Sequence, residues 1–122
     1  MRVMVLVKAT ADSERGVMPD DWTRDMLQAM GRFNEELRQA GVLLAAEGLK
    51  PSSCAKRVAF DGPGRRVIDG PFPHTGELVA GYWIWQVRDM DEAVSWASRC
   101  PSPMPGPSEI EIRPYYEATD LP

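Results

Sequence analysis

The stretch Arg65-Arg66-Val67-Ile68-Asp69-Gly70-Pro71-Phe72 sets the organisation of this chain, because it ends a strand-like run in a tight turn. Gly70 supplies backbone freedom, Pro71 fixes φ, and Asp69 can hydrogen-bond the backbone two residues on. Such a turn can hold one carboxylate in a fixed direction at the end of a strand. On each side of this region the chain repeats one order of elements: a strand, a helix and a strand.

The first of these units begins with an apolar strand. From Met1 to Lys8 both alternating faces are largely apolar, which predicts a central strand covered on both sides. The polar segment from Ala9 to Pro19 is predicted to be a loop. A helix follows, capped by Asp20 or Asp21 and ending near Gly41. Its apolar face recurs at spacings of three and four and consists of Trp22, Met26, Met30, Phe33 and Leu37.

The second predicted strand, Val42 to Leu49, leads into a hairpin. Ala55 to Phe60 and Arg65 to Ile68 flank Asp61-Gly62-Pro63-Gly64, which is typical of a hairpin loop. After the tight turn, the aromatic run from Gly81 to Val87 predicts another strand. The hairpin is therefore interpreted as an insertion between the two strand-helix-strand units.

A second helix and a last strand complete the predicted elements. Asp89 is placed to begin the helix, and Glu92 follows it at the spacing of a capping box. Pro101 stops the helix, and Ser108 to Tyr115 alternates like a strand. The predicted buried stripe of this helix consists of Ala93, Val94, Ala97 and Cys100.

These elements predict an α+β fold in one domain, residues 1–122. The plan is a ferredoxin-like split βαβ sandwich with an inserted β-hairpin, in which four antiparallel strands carry two helices on one face. No helix remains for the other sheet face, although the strands are apolar on both sides. We expect a second copy of the chain to cover that face, giving a homodimer with a dimeric α/β barrel.

Composition narrows the classes of function. The net charge is −4 with both signs scattered, so no basic cluster suits nucleic acid. No apolar run approaches the roughly 20 residues of a membrane span, and the N-terminus lacks the long apolar region of a signal peptide. A cytoplasmic protein with two reduced, buried thiols, Cys54 and Cys100, is expected. Neither a metal nor a cofactor is expected, because the corresponding motifs are missing.

Asp69 and His74 are the candidate catalytic residues. A carboxylate at a strand end can act as a general base, or it can hold a histidine in one tautomer. His74 is the single histidine of the chain and follows Asp69 closely, so the two can form an acid–base pair if the turn brings them together. The alternatives are a carboxylate that serves only its own turn and a histidine on an exposed loop.

Two further acids and a set of aromatic residues are candidates for a ligand site. Glu47 is the one charge in an apolar strand, so it either binds a cationic ligand or pairs with a cation across the sheet. The cations considered for that pair are Lys8, Arg57 and Arg113. Glu77 is either a second carboxylate of the site or a solvated loop charge. The aromatic residues can line a pocket, or belong to the core and the dimer interface; they are Phe72, Tyr82, Trp83 and Trp85.

The tetrapeptide Asp69-Gly70-Pro71-Phe72 resembles the signature of the YCII-related, or DGPF, family of small α+β proteins. The resemblance covers nearly the whole chain and includes Asn34 to Leu37, Ala40 to Leu44, Glu47 to Leu49, Pro51-Ser52, Glu77-Leu78, the strand from Gly81, Glu92-Ala93 and Glu109 to Pro114. It implies a ferredoxin-like fold, a homodimer that forms a dimeric α/β barrel, and a pocket near the turn. The ligand-binding candidates are then Glu47, Gly70, Pro71, Phe72 and Glu77.

The resemblance also implies a bacterial, cytosolic protein. Some members of the family are encoded with, or fused to, sigma factors of the extracytoplasmic-function class. Some use a His–Asp pair whose histidine lies on the first helix. This chain has no histidine between Trp22 and Leu37, where the matching region is Met26 to Met30. Asp69 therefore carries over by motif, whereas its histidine partner does not.

Three functions are compatible with the sequence. The first is a ligand-binding or regulatory module with a small-molecule pocket near the turn. The second is a cofactor-independent lyase or isomerase for a small organic acid or aromatic, with Asp69 as the base and His74 or Glu47 assisting. The third is an interaction partner, for instance of a sigma factor. A closed polar pocket around Asp69 would favour the first two, and an exposed Asp69 beside a flat aromatic patch would favour the third.

Overall fold

The computed structural model describes residues Met1–Pro122 and contains six strands and three α-helices. The strands are β1 (Arg2–Lys8), β2 (Leu43–Gly48), β3 (Lys56–Asp61), β4 (Gly64–Asp69), β5 (Val79–Gln86) and β6 (Ile110–Pro114). The helices are α1 (Ala11–Arg15), α2 (Asp20–Gln39) and α3 (Met90–Ser98). Every strand predicted from the sequence is present, with small differences in its bounds.

The sheet order follows from how the two strand-helix-strand units interleave. β2, β5, β1 and β6 lie side by side in that order and are antiparallel. Each unit leaves room between its two strands for one strand of the other unit, as a split βαβ plan requires. β3 and β4 pair only with each other, as an antiparallel hairpin. The order is consistent with the predicted ferredoxin-like plan, and the inserted hairpin is confirmed.

The pairing of β1 with β5 forms the centre of the core. Val3 pairs with Trp85 and Val5 pairs with Trp83, so valines and indoles meet on one face of the sheet. All four side chains are buried. Phe33 of α2 packs against both indoles at ring-centroid distances of 6.1 and 6.4 Å, with edge-to-face geometry. Residues of α2 and α3 join this one core, which confirms the prediction of two helices on one sheet face.

The opposite face of the four-stranded sheet is not covered by a helix. Strand alternation places Met4 and Leu6 of β1 on this face, beside their cross-strand partners Ile84 and Tyr82 of β5. All four side chains are only partly buried. The middle of this face, which we call the open face, is therefore apolar.

The sequence predicts a loop from Ala9 to Pro19, and this prediction is wrong for residues Ala11–Arg15, which form α1. Thr10 caps this short helix, because its hydroxyl accepts a hydrogen bond from the N–H of Ser13 at 3.2 Å. The Ser13 hydroxyl in turn accepts from the N–H of Thr10 at 2.9 Å, which closes a capping box. The signal was present in the sequence as a threonine followed three residues later by a serine, but the apolar periodicity of a longer helix was missing.

The N-cap of α2 also differs from the prediction. Pro19 occupies the N-cap position and makes no side-chain cap, whereas Asp20 and Asp21 lie in the first turn of the helix. Carboxylates in a first turn interact favourably with the positive end of the helix dipole. These two acids therefore favour the start of α2 through their charge instead of through a capping hydrogen bond.

α3 begins as predicted, and three of the four residues of its predicted stripe, Ala93, Ala97 and Cys100, belong to the core or pack against it. The Asp89 carboxylate accepts from the N–H of Glu92 at 2.9 Å. The Glu92 side chain accepts from the backbone N–H that precedes the cap residue, at 2.7 Å, so the capping box is not closed. Val94 was predicted to be buried, but it is 49% exposed. Trp96 packs against the core instead.

The hairpin is joined to the rest of the chain at Gly70. The N–H of Gly70 donates to the carbonyl oxygen of Ala55 at 2.9 Å. A Cβ atom at Gly70 would lie 1.7 Å from the carbonyl oxygen of Ser52, far inside van der Waals contact. Glycine is therefore required here by close approach of two backbone segments.

We expect Gly70→Ala to lower the free energy of unfolding by about 2 kcal/mol or more, because backbone must move to admit the methyl group. Gly76→Ala is the control, since a Cβ atom there meets nothing within 4 Å. Urea unfolding followed by circular dichroism measures both variants. Equal stability of the two would contradict the close packing of Gly70 on Ser52.

Candidate functional site

A cleft of about 430 Å³ opens between α2 and the end of the sheet where β2 pairs with β5. Gly48 and Gly81 face each other in this pair, so two adjacent positions at this end of the sheet carry no side chain. Ala46 and Trp83, the next pair on the same face of the sheet, also line the cleft. A space of this size is typical of small-molecule sites.

Methionine side chains supply much of the cleft wall. Met26 and Met30 come from α2, Met18 from the segment before it, and Met104 from the loop before β6. Thioether side chains are flexible and polarisable, so they adapt to irregular shapes. Met26 and Met30 belong to the region in which the family resemblance would place a histidine. That region contributes apolar surface to the cleft in this protein.

One amide in the wall is held in a fixed orientation. The indole Nε1–H of Trp83 donates to Oδ1 of Asn34 at 2.8 Å. An indole nitrogen can only donate, so the atom that it meets must be the carbonyl oxygen of the amide. The NH2 group of Asn34 is consequently turned away from Trp83, and it has no hydrogen-bond partner within the protein.

Glu47 is the single charged residue at the cleft. It pairs with Tyr82 in the register of β2 and β5, so strand alternation directs its side chain to the open face. Glu47 is exposed and forms no ion pair. The predicted ion pair of Glu47 with Lys8, Arg57 or Arg113 is therefore wrong. Lys8 forms no ion pair, Arg113 pairs with Glu111, and the Arg57 guanidinium lies over the ring of Phe72.

Asp69 lies outside the cleft, at the end of the hairpin. Its side chain is 73% exposed and pairs with Nζ of Lys56, its cross-strand partner, at 2.5 Å. An exposed pair of this kind contributes at most about 1 kcal/mol to stability. An exposed Asp69 meets one condition for an interaction partner. For the other condition, a flat aromatic patch, Trp83 and Trp85 are not available because they are buried, whereas Phe60 on the same hairpin as Asp69 is 72% exposed.

His74 and Glu77 lie on the connection between β4 and β5. His74 is exposed, has a left-handed backbone with φ of 62°, and forms no ion pair. Glu77 ends a short 3-10 turn and is also exposed. No hydrogen bond or ion pair joins His74 to Asp69, whose carboxylate pairs with Lys56 instead, and an acid–base pair of the two stays a prediction.

The turn formed by Asp69-Gly70-Pro71-Phe72, which we call the DGPF turn, is connected to the wall of the cleft through Ser52. The N–H of Phe72 donates to the Ser52 hydroxyl at 3.0 Å, and the N–H of Ser52 donates to Oε2 of Glu14 at 2.9 Å. The Ser52 hydroxyl also donates to the other carboxylate oxygen of Glu14. Ser52 is buried, so these hydrogen bonds are shielded from competing water.

The neighbours of Ser52 and Glu14 form one side of the cleft. Pro51 precedes Ser52, Ser13 precedes Glu14, and both line the cleft together with Gly16. The turn residues Gly70, Pro71 and Phe72 do not line it. The turn therefore positions the cleft wall through Ser52 without reaching the cleft itself.

Sequence reasoning missed Asn34, Ser52 and Glu14 as site-forming residues. Their partners are distant in sequence: Trp83 is 49 residues from Asn34, and Ser52 is 38 residues from Glu14. No spacing rule links residues so far apart. Asn34 and Ser52 both lie in segments that carry the family resemblance, which was the one signal that could have drawn attention to them.

Both cysteines are free, but Cys54 is exposed, contrary to the prediction that it is buried. Burial raises the pKa of the Cys100 thiol to about 11, so this group is protonated near neutral pH. No set of three His, Cys, Asp or Glu side chains is placed to hold a metal ion. None of the helices has the length and apolar character that crossing a membrane requires.

Comparison with known proteins agrees with the resemblance seen in the sequence. The family model of the YCII-related domain matches residues 1–118. An uncharacterized protein of Rhizobium meliloti (strain 1021) is 29% identical over 107 residues, which cover 83% of this chain and 86% of that protein. The residues matched by the family model span both halves of the fold, including the hairpin and the turn.

We expect Ser52→Ala to lower the free energy of unfolding by about 1–3 kcal/mol, because the N–H of Phe72 loses its acceptor and Glu14 loses one donor. Ser53→Ala is the matched control, since Ser53 is the exposed neighbour. Urea unfolding of both variants measures the difference. A cost for Ser52→Ala no greater than for Ser53→Ala would show that Ser52 does not join the turn to the cleft wall.

Proposed function

This chain belongs to the YCII-related domain family, and on that premise we propose that it is a ligand-binding module whose small molecule occupies the cleft between α2 and the sheet. The cleft carries the proposal, because it is concave, mostly apolar and provided with one fixed amide. Ligand sites in proteins combine an apolar lining with a few oriented polar groups in this way. In this proposal the DGPF turn supports the wall of the site.

The residues at the cleft favour binding over acid–base catalysis. General acid–base chemistry needs a titratable group within hydrogen-bond reach of the substrate. Asp69 and His74 do not line the cleft, and strand alternation directs the Glu47 side chain away from it. A reaction that uses Asp69 would have to take place at the exposed end of the hairpin, where water surrounds the carboxylate.

We expect a mixed library of small neutral, cationic and anionic molecules to contain compounds that shift the NMR signals of the cleft methionines. The chain has seven methionines, and four of them line the cleft. With ¹³C-methyl-methionine labelling, the other three report on the rest of the protein. A library in which no compound moves the four cleft signals would overturn the proposed function.

Filling the cleft is expected to remove this binding. Ala46→Phe places a large side chain in the cleft and should weaken the affinity of each compound by about tenfold or more. Ala59→Phe, on β3 and away from the cleft, is the control. Leu27→Trp, at the exposed mouth of the cleft, replaces Ala46→Phe if that variant does not fold. Unchanged affinity in both cleft variants would contradict the site.

We also propose that the protein is a homodimer in which a second copy covers the open face, so that two sheets pack into a dimeric α/β barrel. The support is the composition of that face. Its central rows, Met4 with Ile84 and Leu6 with Tyr82, are apolar and only half buried. Charged residues such as Glu111 and Arg113 lie on the edge strand, like the rim of an interface.

Leu6→Arg is expected to convert the dimer to a monomer, because two-fold symmetry would bury the introduced charge twice. Val94→Arg is the control, since it adds the same charge at an exposed apolar position on α3. Size-exclusion chromatography with light scattering gives the mass of each variant. A monomeric parent protein, or a dimeric Leu6→Arg variant, would contradict this assembly.

A further inference from the structure

We infer that the cleft selects an uncharged, largely apolar molecule that carries one hydrogen-bond acceptor, such as a ketone or amide carbonyl. This inference rests on the proposed function and names the chemical class of its ligand. The proposed contact joins the acceptor atom of the ligand to the NH2 group of Asn34.

The amide determines which polar group the ligand needs. Trp83 uses one of the two acceptor sites on the carbonyl oxygen of Asn34, whereas both hydrogens of the NH2 group are without a partner, so the unsatisfied capacity of this amide is mainly that of a donor. Asn34 is partly buried and lines the cleft. A molecule that displaces water from this position without accepting a hydrogen bond would leave both donors unsatisfied, and that costs binding free energy.

The charge of the wall determines which ligands are rejected. No Lys, Arg or His lines the cleft, and the side chain of its single charged residue, the acid Glu47, is directed to the open face. A carboxylate or phosphate that entered this space would lose water without gaining an opposite charge. A small organic acid, which the sequence left open as a substrate, is therefore disfavoured at this site.

Because the wall of the cleft is flexible, we expect it to discriminate between ligands by their polar groups and not by their shape. The four methionine side chains can change rotamer at little cost, so molecules of different outline can be accommodated. The donors of Asn34, by contrast, are fixed by the hydrogen bond from Trp83 at 2.8 Å. We therefore expect a class of ligands that share an acceptor and an apolar body.

Acetophenone and benzoate test the inference, because they have nearly the same size and shape and differ in charge. We expect acetophenone to shift the four cleft methyl signals of ¹³C-methyl-methionine-labelled protein. Benzoate should bind about tenfold more weakly or not at all. Benzoate binding as well as acetophenone would overturn the inference and leave the proposed function intact. Failure of acetophenone, while other compounds move the same signals, would overturn it as well.

The variant Asn34→Asp isolates the amide contact. An Asp carboxylate can still accept the hydrogen bond from Trp83, but it offers no donors to a ligand. We expect the affinity for acetophenone to fall by about threefold to tenfold, the worth of one hydrogen bond. Gln28→Glu is the matched control, because it makes the same chemical change on an exposed part of α2 outside the cleft. Equal affinities in the two variants would remove Asn34 from the site.

Discussion

The antiparallel pairing of β1 with β5 is the contact on which the rest of the structure depends. It aligns Val3 with Trp85 and Val5 with Trp83, and these four buried side chains form the surface on which both helices pack. Burial of two indoles and two valines removes several hundred Å² of apolar surface from water, the dominant favourable term in folding. The same pairing turns Met4 and Ile84 outward, so one register determines both the core and the open face.

The cleft is a consequence of where that packing ends. Phe33 and Leu37 of α2 are buried against the sheet, whereas Met26 and Met30, nearer the start of the helix, are only partly buried. At the corresponding end of the sheet, Gly48 pairs with Gly81, and neither can fill the gap. The paired glycines and the partly buried start of the helix therefore border a concave space, which flexible methionines only partly fill.

The DGPF turn stabilises this arrangement from a distance. Gly70 allows the hairpin to approach the backbone of Ser52, and Ser52 joins Phe72 to Glu14 of α1. Three segments that are far apart in sequence thus meet at one buried serine. A motif made of Asp, Gly, Pro and Phe can therefore be distinctive because of backbone geometry, while its carboxylate remains in water.

The sequence by itself determined the six strands, the two longer helices, their order and the family, because apolar periodicity and turn residues act over a few positions; it missed α1, which is too short to show such periodicity. The hairpin, the α2 face and the Asp89 cap all depend on such local patterns. Only the tertiary structure decided the site, since Asn34 meets Trp83 and Ser52 meets Glu14 across long separations. It also decided that Asp69 faces solvent, because a turn motif specifies the backbone locally and leaves open which neighbours its side chain meets.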